Sequence, residues 1–195
     1  MGADPATGRP TYEKKDGTTT TNINEAELFA KFGTYLPKHV GGFTADVRFG
    51  KFNISALFSY QFDVYRYDNV ESWTTRGTSG FSNAVNQNSI LLTEQWQKPG
   101  DVKYYASPLY DRGFTSADVH DAKFLRFRNL NLSYQLPSIS VKGVTIIKSA
   151  KFYVQGQNLV IWSPWRGLDP EDNNNISLQE FPNPRMIVTG LDINF

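Results

Sequence analysis

The stretch FNISALFSYQF, residues 52–62, alternates apolar and polar side chains along its whole length. Successive side chains of a β-strand point to opposite faces, so the pattern predicts a strand with one apolar and one polar face. Leu57 is the single apolar side chain on the otherwise polar face. A tilted strand of about 9–11 residues crosses a membrane, and this stretch is long enough to do so.

Four further segments alternate in the same way and predict four more strands. They cover residues 42–49, 124–136, 150–162 and 186–195. The segment 124–136 breaks its own pattern, because Arg126 and Arg128 fall in phase with the leucines that follow them. A β-bulge would explain the break, and so would emergence of the strand from a membrane.

The connections between these segments are short and long in turn. Gly50-Lys51 is a two-residue hairpin loop, and a leading glycine suits a type II′ turn. Residues 137–149 form a shorter connection, whereas 63–123 and 163–185 are long. Transmembrane barrels have short periplasmic turns and long external loops, so a periplasmic position of Phe195 would place both long connections outside.

The predicted fold class is therefore all-β, and the pattern favours strands and long extracellular loops of a large antiparallel transmembrane β-barrel. A soluble β-sandwich also has alternating strands and remains the alternative. A loop of about 60 residues would be unusual in so small a sandwich. The five segments would form only a partial barrel, since closure takes about 8 strands.

Composition excludes several classes of function. Lys and Arg number 20 and Asp and Glu 19, so the chain lacks the basic excess of a nucleic-acid-binding protein. There is no cysteine, which excludes disulfides and cysteine-based metal sites or nucleophiles. No run approaches the roughly 18 apolar residues of a membrane-spanning helix. Aromatic residues make up 14% of the chain, which suits strands and the aromatic girdles of membrane barrels.

The amino terminus, MGADP, has neither the basic nor the apolar region of a signal peptide. Either the protein stays inside the cell or its true start lies upstream. The strand pattern favours the second explanation.

Seven short strings resemble, in order and spacing, those of the SusC/RagA family of TonB-dependent outer-membrane transporters. The block FLRFRNLNLSYQLP, residues 124–137, is similar to the family's "FLRLRNLTLSYTLP". The others are ADPATGRP (3–10), LPKHVGGF (36–43), QKPGD (97–101), YVQGQNL (153–159), GLDPE (167–171) and FPNPR (181–185). The segment IWSPW, residues 161–165, diverges from the family pattern, which affects loop detail only.

The resemblance implies a C-terminal fragment of a barrel of about 22 strands. Residues 1–37 would form an extracellular loop or hairpin segment, and residues 38–195 the C-terminal part of the barrel. Such transporters import glycans or peptides with a SusD-like lipoprotein and TonB. No plug or TonB box is visible in the sequence, so we expect these partners to act through a missing parent portion. The implied location is the outer membrane of a Gram-negative bacterium.

The last strand carries a second expectation. Leu191, Ile193 and Phe195 alternate up to the terminus and resemble the signal read by the barrel assembly machinery. The terminal strand of a barrel must pair with the first so that no edge faces lipid. A hydrophobic edge strand of a soluble sheet is the alternative explanation.

Tryptophans mark candidate contacts in the long connections. Trp73, Trp96 and Trp165 lie in or beside these loops, where aromatic rings stack on sugars or fill peptide pockets. A membrane girdle or packing within the loops is the alternative for each of them. Trp162, at a strand end, suits the girdle best.

Charged residues offer weaker signals. Arg126 and Arg128 could contact a loop carboxylate or a lipopolysaccharide phosphate. Asp169, Glu171 and Asp172 are oxygen-rich enough for Ca²⁺ but lack EF-hand spacing, which favours a polar turn.

The sequence shows no catalytic constellation, and His39 and His120 stand alone in it. We therefore expect no enzyme activity, no cofactor and no metal. A secreted or periplasmic carbohydrate-binding β-sandwich is the alternative function.

Overall fold

A computed structural model describes residues 2–27, 33–77, 86–171, 176–177 and 181–195. The chain divides into two compact units whose segments alternate along the sequence. Unit 1 comprises Met1–Tyr35, Tyr65–Asp121 and Asp172–Glu180, and unit 2 comprises Leu36–Val64, Ala122–Glu171 and Phe181–Phe195. Asp172, one of the residues considered for Ca²⁺, lies outside the described residues.

Strands dominate the described part of the chain, and helices are few and short. The strands are β1 (Tyr12–Glu13), β2 (Thr19–Thr20), β3 (His39–Phe49), β4 (Phe52–Phe62), β5 (Tyr65–Asp68), β6 (Val119–Asp121), β7 (Phe124–Leu136), β8 (Ile139–Val141), β9 (Val144–Ile147), β10 (Ser149–Trp162), β11 (Ile176–Ser177) and β12 (Met186–Asn194). The α-helices are α1 (Asn69–Thr75) and α2 (Leu91–Glu94), and two 3₁₀ turns cover Ile23–Glu25 and Ser116–Asp118.

None of the helices in the described ranges has the length and apolar character to cross a membrane.

Unit 2 is built on a five-stranded antiparallel sheet in the order β12-β10-β7-β4-β3. Its strands lie where the alternating segments occur in the sequence, with β3 starting three residues earlier than the pattern indicates. Gly50, at φ 59°, begins the turn between β3 and β4, as a type II′ turn requires. The short connection 137–149 is itself a hairpin of β8 and β9. The expected all-β, antiparallel fold class is confirmed.

The break in the β7 pattern is a bulge. β4 and β7 pair residue by residue except at Arg128, which has no partner on β4. The extra residue reverses the phase, so that Phe127 lies opposite Phe58 and Arg126 lies opposite Ser59. The arginine that interrupted the apolar row in the sequence therefore lies on the polar face of the sheet.

Unit 1 contains most of the long insert between β4 and β7, and it is folded. A three-stranded sheet, in the order β11-β5-β6, combines antiparallel pairing of β5 and β6 with parallel pairing of β5 and β11. Helix α1 follows β5 directly, and the Asp68 carboxylate caps it by accepting a hydrogen bond from the Glu71 backbone N–H at 2.9 Å. β1 and β2 form a separate antiparallel pair.

The assignment of residues 1–37 to an extracellular loop or hairpin segment, and of residues 38–195 to the C-terminal part of a barrel, stays a prediction.

Candidate functional site

The sheet of unit 2 has one continuous apolar face. Cross-strand partners are apolar from β3 to β10: Val47 faces Ile54 and Ile54 faces Leu132, which in turn faces Val154. Many large apolar side chains of this face are exposed, from 38% for Val160 to 83% for Phe49. A β-sandwich would cover such a face with a second sheet. An exposed face of this kind requires an apolar environment or partner.

The opposite face is polar and mostly uncharged across its middle. It carries Asn, Ser, Gln and Tyr side chains of the three central strands. They are Asn53, Ser55, Ser59 and Gln61 of β4, Asn129, Asn131, Ser133 and Gln135 of β7, and Tyr153, Gln155 and Gln157 of β10. An apolar outside and a polar inside are what a transmembrane barrel wall presents.

An ionic cluster lies on the polar face of unit 2 at the start of β7. Arg126, whose side chain is only 4% exposed, donates a hydrogen bond to Asp169 and forms an ion pair with Glu171, at 3.0 Å between Nε and Oε2. Arg128 donates to Glu171 and, at 2.7 Å, to the Ser59 hydroxyl. The two arginines and two carboxylates therefore neutralise one another. Of the two contacts suggested by the sequence for these arginines, the structure shows the loop carboxylates.

Asp169 also fixes the approach to the last strand. Its Oδ2 accepts from the Asn183 backbone N–H at 3.2 Å, and its Oδ1 accepts from the Glu171 N–H at 2.9 Å. Asn158 of β10, at φ 51°, donates from Nδ2 to the Pro184 carbonyl at 3.1 Å. The GLDPE, FPNPR and QNL strings thus meet through these contacts within unit 2. The two described acids of the Ca²⁺ candidate, Asp169 and Glu171, are engaged by arginines.

Unit 1 contains a second, more deeply buried polar network. Arg112 donates to Asp118 at 2.5 Å and to Thr75 at 2.8 Å. Glu71 accepts from the Tyr105 hydroxyl at 2.7 Å and lies 2.8 Å from His120 Nε2. His120, which stands alone in the sequence, therefore has a carboxylate partner.

Tyr67 joins two parts of this network. Its hydroxyl lies 2.7 Å from Ser72 Oγ and 3.2 Å from Asp118 Oδ2. Burial is the main cause that raises the pKa of Tyr67, to about 12. Burial also raises the pKa of Asp118 and of Asp68, against the opposing effects of Arg112 on Asp118 and of the Glu71 N–H on Asp68.

A small cavity of about 30 Å³ borders the network in unit 1. Tyr12, Tyr104, Tyr105 and Arg112 line it, among others, and Arg112 Nε has no partner among the described residues. A single water needs about 10–15 Å³ of such space and several polar partners. The cavity therefore suits one or two solvent molecules.

The structure places the candidate tryptophans in different settings. Trp165 is buried, at 9% exposed, against Val64 and Ala122 in unit 2. Trp96 donates from Nε1 to the Pro5 carbonyl, and Trp73 lies half-buried on α1. Trp162, in contrast, is 50% exposed at the end of β10 on the apolar face.

Leu191 and Ile193 lie on the apolar face of β12, opposite Phe152 and Ala150 of β10. Phe195 follows the strand and is 71% exposed.

His39 lies 3.5 Å from Asp63 at the exposed start of β3. Among the described residues, no three His, Asp or Glu side chains are grouped to hold a metal ion.

Sequence reasoning missed Glu71, Arg112 and Asp118 as interacting residues. Glu71 is 34 positions from its partner Tyr105 and 49 positions from His120, and Asp118 is 51 positions from Tyr67. No local spacing connects such residues. The N-cap at Asp68 had a recognisable signal, an Asp three residues before a Glu.

Replacing Arg126 by Ala should loosen residues 163–171 much more than replacing Arg128 by Ala. Loss of Arg126 leaves the Asp169 and Glu171 carboxylates short of their buried partner, a change that costs about 3–5 kcal/mol. Arg128 is 28% exposed and leaves Arg126 in place, so about 1 kcal/mol is expected. Hydrogen exchange of the peptide covering 163–171 measures the difference. Equal effects of the two variants would show that the cluster does not hold this segment.

Replacing Asp68 by Asn should flatten the pH dependence of α1 stability. The folded pKa of Asp68 lies above its unfolded value, so its protonated form favours folding, and that contribution is lost as pH rises through the folded pKa. Asn keeps the N-cap without the buried charge, so stability at neutral pH should be unchanged or higher. Asp68→Ala is the matched control and should cost about 1 kcal/mol by losing the cap. The measurement is hydrogen exchange of the Glu71 amide between about pH 4 and pH 8, the range in which a buried carboxyl group titrates. An unchanged pH profile in Asp68→Asn would contradict the assignment.

No protein-family model matches the chain. Comparison with individual proteins finds relatives that are named TonB-dependent receptors. TonB-dependent receptor P3 of Formosa agariphila is 28% identical over 177 residues, covering 84% of this chain and 17% of the relative. TonB-dependent receptor SusC of Bacteroides thetaiotaomicron is 27% identical over 160 residues, covering 79% of this chain and 15% of the relative. The chain thus spans about a sixth of the length of these curated relatives.

Solved structures show the same fold. The RagAB peptide importer in its open-open state matches 100% of this chain and 21% of the solved chain, with a TM-score of 0.86 and 24% identity. The closed-closed state of the same importer matches with a TM-score of 0.83. In its motifs, its relatives and its fold, the chain is similar to TonB-dependent receptors of the SusC/RagA type.

Proposed function

We propose that this chain forms part of the barrel wall and outer loops of a TonB-dependent importer in the outer membrane. The observation that carries the proposal is the five-stranded sheet with an exposed apolar face and a polar opposite face. In this arrangement the apolar side chains contact lipid, and the three inner strands are each paired with a strand on both sides. The wall itself catalyses no reaction.

The imported substrate is a glycan or a peptide, taken up with a SusD-like lipoprotein over the external loops. Support comes from relatives: one is named SusC, and the solved neighbours are titled as a RagAB peptide importer. TonB acts through parts of the protein outside this chain. Trp73, Trp96 and Trp165 are the proposed aromatic contacts to substrate or lipoprotein, of which Trp165 is the most buried.

The terminal strand serves assembly. Leu191, Ile193 and Phe195 present an apolar row to the barrel assembly machinery. In the sheet β12 lies at one edge and β3 at the other, so each has a free side for a further strand. Pairing of both edges with strands of the parent barrel removes exposed backbone groups from lipid.

Replacing Leu132 by Lys should destabilise the protein in the membrane, whereas Ser133→Lys should be tolerated. The two positions are neighbours on β7 and point to opposite faces, toward lipid and toward the interior. A lysine on the lipid face near the bilayer centre costs about 2–4 kcal/mol. Urea unfolding of the full-length protein in lipid vesicles measures the difference. If Ser133→Lys were the more harmful variant, the assignment of the faces would be reversed.

Deleting the gene should abolish uptake of one substrate class. A strain lacking the gene, and the same strain complemented with it, would be given fluorescent oligosaccharides and fluorescent oligopeptides. We expect the deletion to stop accumulation of one class and to leave the other unchanged, because each substrate class needs its own loop contacts. Normal uptake of both classes would contradict the import function.

A further inference from the structure

The two outer strand pairs of the sheet differ in how they are connected. β3 and β4 are joined by the two-residue turn Gly50-Lys51, and a tight turn fixes the register of a hairpin. β10 and β12 are joined by the connection 163–185, which is too long to set their register by its length alone. The register of β12 must therefore come from specific contacts, among them those with β10.

The apolar pattern settles only part of this register. A shift of one residue would turn the whole apolar row of β12 to the polar face, which the alternation forbids. A shift of two residues would keep apolar side chains on the apolar face. Val154 lies opposite Thr189 in the structure and would face Ile187 or Leu191 after such a shift. Another interaction must therefore distinguish these registers.

Tyr153 and Gly190 supply one such interaction on the polar face. They lie directly opposite each other, and the Tyr153 ring covers the glycine. A Cβ atom at Gly190 would stand 2.6 Å from Cε1 of the ring, closer than ordinary packing allows. The ring therefore fits in this position only because residue 190 has no side chain.

The neighbouring pair on the same face carries complementary charges. Lys151 lies opposite Asp192, with 2.8 Å between Nζ and Oδ2. A two-residue shift in one direction would set Tyr153 against Asp192, and in the other against Val188. Either shift would break both pairs at once.

We propose that the Tyr153–Gly190 and Lys151–Asp192 pairs form a register lock that selects the position in which β12 docks on β10. The four residues are positioning residues for strand assembly. The inference deepens the proposed role as a barrel wall, yet it rests on strand pairing alone and is independent of substrate.

Cysteine cross-linking in the full-length protein reads the register directly, since this chain has no cysteine of its own. Any cysteine elsewhere in the protein would be replaced. Val154→Cys is combined in turn with Thr189→Cys, Ile187→Cys and Leu191→Cys. With the lock intact, we expect oxidation to join residue 154 almost only to residue 189.

Removing the lock should redistribute the cross-links. In a Tyr153→Ala, Asp192→Ala background, the ratio of native to shifted products should fall by about tenfold, because each cross-strand pair contributes a modest preference. Gly190→Val, which fills the space under the ring, should shift the ratio in the same direction. The exchange Lys151→Asp with Asp192→Lys should keep the native product. An unchanged ratio in the first two backgrounds, or loss of cross-links to all three positions, would overturn the proposal.

The β3–β4 hairpin provides a matched control. Tyr60 covers Gly41 in the same way, with a Cβ at Gly41 placed 2.6 Å from the tyrosine hydroxyl. Here the turn sets the register, so Tyr60→Ala should leave the cross-link between Val47→Cys and Ile54→Cys unchanged. A shift in this hairpin as well would mean that ring loss disturbs the sheet generally. Because cross-links form in purified protein, they report on the lock even if uptake experiments contradict the import function.

Discussion

The structure of unit 2 depends on one constraint, the two-residue period of side chains along paired strands. In an antiparallel sheet, residues opposite each other point to the same face, so an apolar row on one strand requires apolar rows on its neighbours. The registers from β3 to β10 satisfy this requirement, and on β12 Ile187, Leu191 and Ile193 continue the apolar row, with Thr189 as the exception. The result is a sheet with one apolar face and one polar face.

The bulge at Arg128 shows how a charged cluster is built into such a sheet without breaking the apolar face. With an unbroken register, Arg126 would join Leu130 and Leu132 on the apolar side. One unpaired residue reverses the phase, and Arg126 then meets Asp169 on the polar side. Burying a guanidinium is favourable only with complete partners, and the loop after β10 supplies them. The same bulge therefore determines where that loop is attached.

The elements of unit 2 could be predicted from sequence because their signals are local. β4 and β7 have the bounds that alternation alone indicates, and Gly50 marks its own turn. The bulge was one of two explanations, since a break in phase does not reveal whether the backbone or the environment changes. Unit 1 was harder to predict from the sequence, because its contacts join residues that are far apart in the chain, such as Glu71 and His120. The burial of Trp165 could not be predicted either, because the sequence around an aromatic residue in a polar loop does not show whether its side chain is packed or exposed.

The two units consequently respond to different conditions. Unit 2 relies mainly on backbone pairing and apolar side chains, neither of which titrates, and its charged side chains form ion pairs such as Lys151–Asp192. Unit 1 buries Asp68 and Asp118 at 2% and 0% exposed, and burial raises the pKa of both. The ionised form of each carboxyl lacks the solvation that it would have in water, so the contribution of these groups to stability is lower where they are charged than where they are protonated. The stability of unit 1 therefore changes with the pH of the medium through these two carboxyl groups.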